Sequence, residues 1–404
     1  MKKPQSPDTL TVIHVVPTPF FADRGCHMRV RGLILSLQKL GVRNLLCTYH
    51  HGREVEGIEA IRIPTIPGYT KLEAGPSGYK YIADMLLLFK VCQIIWREQP
   101  DIIHGHLHEG TLIGWMARWL FFWRHISLVF DVQGSLVGEL EAHGFFEKLR
   151  FLRPCFEGVE WLITRMPTHF FCSSKRSLNI LRDNFSVADE KLSLVSDGTD
   201  TAKAPAHNRE ILRQKLQLPA DRPVVIYTGA LLEAKGLNDL CQLIQAAARS
   251  QIHCYFLIVG YPTESLETFL SDGNLQDWCT VTGRVPYEEL SYYLSVAQLA
   301  IEPKGADSGE ASGKLLNYMA AGLPVVCYDT PNNRDMLAEG GFFADRANGV
   351  DALVTTLKQA LSDPEDAQRK GRIGTARIEQ LFSWDSAATK VYNIYKQIKQ
   401  IKKS

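Results

Sequence analysis

Short apolar runs and helical patterns alternate along the first half of the chain. The runs at 10–16, 44–49, 58–63, 101–106, 126–132, 169–173 and 192–196 are bounded by turn-forming residues, which predicts strands. Between them, 28–40 carries an amphipathic helical period that stops at Gly41, and 81–98 predicts a long helix ended by Pro100. Such β-α alternation predicts a parallel, doubly wound layer. The pattern then starts again. Strands are predicted at 224–229, 253–260, 280–282, 299–303 and 324–328, with helices at 237–250 and 287–295. The polar stretch 201–222 between the halves reads as a linker and a leading helix.

At 404 residues, two domains are expected rather than one. A net charge of +1 gives no reason to invoke nucleic acid. The nine cysteines are scattered singly, with no C-x-x-C, and read as buried thiols of a reducing, cytoplasmic compartment. The start, MKKPQSPDTLTV, lacks the apolar core of a secretory signal, and no run of eighteen apolar residues suggests a spanning helix. The segment 115–125, WMARWLFFWRH, reads first as a buried helix whose arginines reach solvent. Its sharper reading is a face that touches a bilayer, which would make the protein peripheral on the inner face of a membrane. The stretch 145–166 mixes basic and aromatic residues and supports both readings equally.

The run at 309–329, GEASGKLLNYMAAGLPVVCYD, joins a small-residue loop, a short helix and a core strand. A loop that opens a helix presents free backbone N–H groups and a positive dipole end, which suit a phosphate. A nicotinamide dehydrogenase would need G-x-G-x-x-G after the first strand, and PTPFFADRGCHMR does not supply it.

This run resembles the donor-binding element of family-4 retaining glycosyltransferases, many of which carry Glu-x7-Glu before A-x-G-x-P-V-V. The AAGLPVV half matches, and one branch of the family has K-L-x-E-Y-M-A-A-G, which this chain follows except at Asn317. The resemblance implies two Rossmann-like domains facing across a cleft, the glycosyltransferase-B fold. The expected boundaries are 1–200 for an acceptor-binding domain, 201–380 for a nucleotide-sugar domain and 381–404 for a last helix that packs back on the first domain. Trp384, Tyr392, Tyr395 and Ile398 give that helix an apolar side.

The resemblance also implies an activity: a hexose moved from a UDP- or GDP-sugar to a hydroxyl of a glycan, a lipid-linked sugar or a lipid. Configuration would be retained, with no cofactor and no metal. A sugar-nucleotide-binding protein without transfer, or an epimerase of the same fold, is the alternative.

YTGALLEAKG resembles the family's G-R-L-x-x-x-K-G element, with Gly229, Lys235 and Gly236 matching and Ala230 in place of the arginine. Lys235 is thus the expected phosphate cation, acting on the charge that builds as the glycosidic bond stretches. Ser312, Gly313 and Lys314 supply N–H donors and a charge, and Asn317 takes the place of the ribose-binding glutamate. Glu310 is the acid expected near the sugar, with Asp307 as its competitor. Gly283 and Arg284 fall near the nucleobase. Gly25 matches a glycine loop beside the diphosphate, and Arg24 is expected to restore the cation lost at Ala230. Gln133 stands where relatives have a histidine near the reacting sugar. His27, Arg29, His106 and Glu139 are the expected acceptor contacts. For His104, His106 and His108 in HGHLHEG, packing or acceptor contact is preferred to metal, because no Cys or acidic ligand set is near in sequence. Asp197 and Asp200 in SDGTD read as a structural turn.

Overall fold

The computed structural model of the chain describes residues 9–22, 25–72, 78–142, 145–199, 206–305 and 313–401. One compact unit runs to Asp197 and resumes at Trp384; the other holds the described residues from Gly198 to Ser383.

The first unit contains β1 (Thr11–Val16), β2 (Arg43–Thr48), β3 (Ala60–Arg62), β4 (Ile102–His106), β5 (Ser127–Val132), β6 (His169–Cys172) and β7 (Leu192–Leu194). They form one parallel sheet in the order β3-β2-β1-β4-β5-β6-β7. Helices cover both faces, which is why β1, β4 and β5 are buried along their whole length, their polar residues His14, His104, His106 and Asp131 included. The outer strands β3 and β7 are shorter than their apolar runs suggest.

The second unit contains β8 (Val224–Ala230), β9 (Tyr255–Tyr261), β10 (Cys279–Val281), β11 (Leu299–Glu302), β12 (Val325–Tyr328) and β13 (Gly341–Ala344). Its sheet, also parallel, has the order β10-β9-β8-β11-β12-β13. β13 went unread in the sequence because GFFA is short and begins on the second residue of the Gly340–Gly341 pair. The predicted helix at 287–295 opens as a 3-10 turn, Tyr287–Glu289, before the α-helix Leu290–Ser295.

In each sheet the strand order reverses once, between β1 and β4 and between β8 and β11. The carboxyl ends of the strands flanking such a reversal open a crevice where α/β proteins bind ligands.

The helix Trp384–Ile401 belongs to the first unit. Trp384, Ala388, Val391 and Tyr395 recur at helical spacing and are buried against Leu33, Leu37, Ile102 and Phe171. A Cβ on Gly32, in the helix Gly25–Lys39, would fall 2.2 Å from the Trp384 indole, so only glycine fits beneath that ring.

The aromatic segment 115–125 departs from the buried reading. The helix Leu107–Leu120 and the 3-10 turn Phe122–Arg124 leave Trp119, Phe122 and Trp123 more than half exposed. Trp96, on the helix Gly78–Glu98, is exposed beside them, with the Phe121 ring 6.4 Å away and the Arg124 guanidinium 5.8 Å from its centroid. In the second stretch, Phe151, Trp161 and Leu162 are exposed as well.

Candidate functional site

In the second unit the switch point lies at the ends of β8 and β11. The helix Gly313–Ala320 begins there and buries Leu315, Leu316 and Met319. Lys314, in its first turn, is turned inward. Its Nζ is 3.3 Å from Glu302 Oε1 at the end of β11 and donates to the Tyr227 hydroxyl at 3.2 Å. That hydroxyl gives its own proton to the Ala230 carbonyl at 2.9 Å, so it can only accept from the ammonium. The ammonium also stands 4.3 Å from the centre of the Tyr227 ring. A Cβ on Gly229 would lie 3.4 Å from Lys314 Cε, so the exit of β8 passes close over this side chain. Burial, and then the Glu302 charge, push the Tyr227 phenol up, which keeps it neutral.

Glu302 and Tyr227 are absent from the residues the sequence points to. A usable signal exists for Glu302: an acid closing the apolar run LAIE before Pro303 is buried by its strand and needs a cationic partner.

Lys235 closes the 3-10 turn Glu233–Lys235 that follows β8, and is half-buried there. Gly236 comes next with φ +90°, and a Cβ on it would meet the Pro303 carbonyl at 2.8 Å. That contact packs the turn against the exit of β11. A cavity of about 540 Å³ opens beside it, lined by Gly236, Asp239, Lys304, Gly305, Tyr328 and Arg346. Its size suits a small-molecule ligand.

Asn317 lies on the same helix as Lys314. Its Oδ1 accepts from Thr199 Oγ1 at 3.0 Å and from the Tyr287 hydroxyl at 3.3 Å. Those two donors occupy the lone pairs of that oxygen, and one of them ties down the loop after β10. Gly283 and Arg284 lie in this loop, and the Arg284 guanidinium is 5.1 Å from the centre of the Tyr261 ring. Arg24, Asp307, Glu310 and Ser312, with Asp200, lie outside the described residues.

In the first unit, Gly25 is the exposed first residue of the helix Gly25–Lys39. Glu139 lies on the helix Leu136–Ala142. The acceptor contacts expected of His27, Arg29 and His106 are corrected by the structure, because all three side chains are buried and bonded within the protein. His27 Nδ1 accepts from the Ala22 N–H at 2.9 Å, so its Nε2 donates to Thr18 Oγ1 at 2.9 Å, which staples the loop after β1. Arg29 donates to Asp131 Oδ1 at 2.7 Å, to Asp197 Oδ1 at 2.6 Å and to the Val195 carbonyl at 2.7 Å. Asp131 Oδ2 accepts from His106 Nδ1 and from Gln133 Nε2, each at 3.0 Å. Burial alone would raise the Asp131 carboxyl, but Arg29 and His106 outweigh it and hold it well below the usual range. The turn expected at Asp197 is in fact an ion-pair anchor. His108 faces Glu160, whose carboxylate accepts the Leu136 and Val137 N–H groups that open a helix.

Two family models match the chain: a glycosyl transferase 4-like domain over residues 24–198 and glycosyl transferases group 1 over residues 208–377. Among curated proteins, the chain is 28% identical to O-antigen chain mannosyltransferase B of Escherichia coli over 198 residues, 48% of this chain and 50% of that protein. The chain thus spans half the length of that relative. It is 22% identical to alpha-D-kanosaminyltransferase of Streptomyces kanamyceticus over 391 residues, 92% of this chain and 99% of that one. Among solved structures, sucrose-phosphate synthase from Thermosynechococcus elongatus superposes with a TM-score of 0.80 at 21% identity, covering 96% of this chain and 99% of that one. Anabaena HepE in complex with UDP-glucose gives 0.76 at 16% identity, covering 96% and 100%. The structural likeness carries the fold. The two adjoining family matches carry the lineage, one for each sheet, and they make this chain a family-4 type glycosyltransferase with the glycosyltransferase-B fold.

Proposed function

We propose that the protein is a retaining hexosyltransferase that takes its sugar from a UDP- or GDP-sugar and passes it to a hydroxyl of a glycan, a lipid-linked sugar or a lipid. The observation that carries this reading is the position of Lys314: a cation anchored by Glu302 and Tyr227 at the β8/β11 switch point, in the first turn of a helix. Lys235 stands on the turn after β8 and adds a second cation to this end of the sheet.

The bond between the sugar C1 and the diphosphate oxygen breaks, and negative charge grows on the diphosphate. Fixed cations and backbone N–H groups stabilise that charge more than they stabilise the intact donor. The acceptor oxygen bonds to C1 on the face the diphosphate leaves, and its proton passes to a diphosphate oxygen. Gln133 takes no proton in this scheme, in keeping with an amide held by Asp131. A lipid or lipid-linked acceptor is supported by the exposed aromatic patch around Trp96, Trp119 and Trp123, with Arg124 at its edge.

Thermal unfolding with UDP, GDP, ADP and NAD tests the donor assignment. A ligand at about a hundred times its dissociation constant should stabilise by roughly 2.7 kcal/mol. UDP or GDP alone should do so, and Lys235→Ala should lose the shift. No shift with either overturns the reading. Product analysis separates the neighbouring possibilities: a retained glycosidic product supports transfer, a converted donor without acceptor means an epimerase, and binding without turnover across many acceptors means a binding protein.

A further inference from the structure

Side chains on four neighbouring strands form one line of hydrogen bonds across the first sheet: Asn44 on β2, His14 on β1, His106 on β4 and Asp131 on β5. His14, His106 and Asp131 are buried. The middle contact joins two imidazoles head-on, His14 Nδ1 to His106 Nε2 at 3.0 Å, with the ring planes 24° apart. Two ring nitrogens at that distance need a proton on one of them.

The outer ends of the line claim the protons of both rings. Asn44 Nδ2 donates to the Val42 carbonyl at 3.1 Å, which turns its Oδ1 toward His14 Nε2 at 2.9 Å. An amide oxygen only accepts, so His14 carries a proton on Nε2. The Asp131 carboxylate also only accepts, so His106 carries one on Nδ1, 3.0 Å away. A neutral imidazole has a single N–H. Two neutral rings would therefore set bare lone pairs against each other in the middle. Turning either proton inward moves the conflict to an outer end, and rotating the Asn44 amide moves it to the Val42 carbonyl. Three contacts require three protons, one more than two neutral imidazoles hold.

The groups packed around the line decide whether a third proton is welcome. Tyr395, whose hydroxyl is 2.5 Å from His104 Nδ1, is held neutral by burial, as is the Cys172 thiol on β6, pushed up to about 12. His104 stacks on His106 with centroids 4.4 Å apart, and burial keeps it neutral as well. The charges that remain are the carboxylates of Asp131 and Asp197 against the single guanidinium of Arg29. Burial raises Asp197, and the Arg29 charge pulls it back. Burial also resists a charge on His14, pushing it down to about 3, and the neighbouring His106 adds to this, while the Asn44 bond and the Asp131 charge oppose it. Against that cost stand an unmade buried hydrogen bond and an unbalanced carboxylate, and one proton removes both.

We propose that His14 and His106 share a single proton across the 3.0 Å contact, so that the pair is one imidazolium cation built into the fold. The proton ties β1 to β4 and supplies the donor that the line from Asn44 to Asp131 otherwise lacks. With Arg29 it sets two positive charges against the two carboxylates. The H-x-H spacing on β4 conceals the pair, because the partner of His106 lies on β1 and is brought alongside only by the strand order. The inference is independent of the donor reading above.

The test is nitrogen NMR of the full chain with isotope-labelled histidine rings. At about pH 8, above the usual histidine value of about 6.5, an ordinary ring shows one protonated and one bare nitrogen. The pair is expected to show no fully bare nitrogen, together with a far-downfield ring proton that exchanges slowly with water. Folded His14→Phe should lose both features, while His169→Gln, outside the line, keeps them. Asn44→Leu removes the outer acceptor and lets His14 turn its proton inward, so the features should disappear about one pH unit lower than in wild type. If His14→Phe does not fold, the wild-type spectrum and Asn44→Leu decide. A bare nitrogen from each of the twelve histidines of the wild type overturns the proposal. So do features that persist in folded His14→Phe, or that disappear at an unchanged pH in Asn44→Leu.

Discussion

At Lys314 the ammonium is held between a carboxylate and an aromatic ring instead of being left to water. A cation fixed before the reaction needs no reorganisation when phosphate charge builds, which is where an electrostatic contribution is largest. Lys314→Met is therefore expected to lower kcat/KM by about 10²–10³-fold, as removal of one preorganised donor does elsewhere. Steady-state kinetics with the best donor measures it, and a change within about threefold would mean that Lys314 only packs. A second residue sets a pH dependence. Burial pushes His169 down to about 4 from its usual 6.5, with Ser193 Oγ 2.9 Å from its Nε2. The folded state keeps this ring neutral, while the unfolded chain takes up a proton near 6.5. Its contribution to stability is therefore full above pH 6.5 and is lost as pH falls from 6.5 toward 4. Thermal unfolding of His169→Gln across that window should show a flatter fall in Tm than wild type. Parallel curves would remove His169 as the cause.

At the level of elements, the last helix depends on one small residue. Gly32→Ala places a methyl inside the Trp384 indole, and overpacking of this kind costs about 1–3 kcal/mol. The expected outcome is a lower Tm with a shifted tryptophan emission, while Gly25→Ala, at an exposed position with open space around it, leaves both unchanged. Equal stability of Gly32→Ala and wild type would mean that the helix docks in another way. The helices at 28–40, 81–98 and 237–250 and the inner strands were legible because periodicity and apolar runs report how many faces of an element are covered. The outer strands β3 and β7 came out shorter because residues at a sheet edge are only partly covered and lose that signal, whereas β13, mostly buried, was missed because it is four residues long and begins on a glycine. The segment 115–125 misled for a related reason. A run dense in Trp and Phe resembles a core helix, yet its register leaves one aromatic side unpartnered.

For the whole molecule, that side is the chief unexplained surface. Among the described residues no helix is long and apolar enough to cross a membrane. An exposed patch of Trp and Phe beside arginine suits the interface of a bilayer. The protein is expected to co-sediment with anionic vesicles, and Trp119→Glu should reduce the bound fraction without lowering Tm. Equal sedimentation with and without vesicles would rule this contact out.

From the sequence alone came most strands in their order, the helices at 28–40, 81–98 and 237–250, the restart of the β-α pattern that makes two units, and the lysines at 235 and 314 that follow β8 and open a helix. These depend on residues a few positions apart, and a single chain records such spacings directly. Tertiary structure decided the rest. It placed Arg29 between Asp131 and Asp197, Glu302 under Lys314, and His14 beside His104 and His106. Periodicity tells which face of its own element a side chain takes. Which element will lie opposite that face is settled only when the sheet orders its strands, and that is where these buried charges and imidazoles acquire their partners.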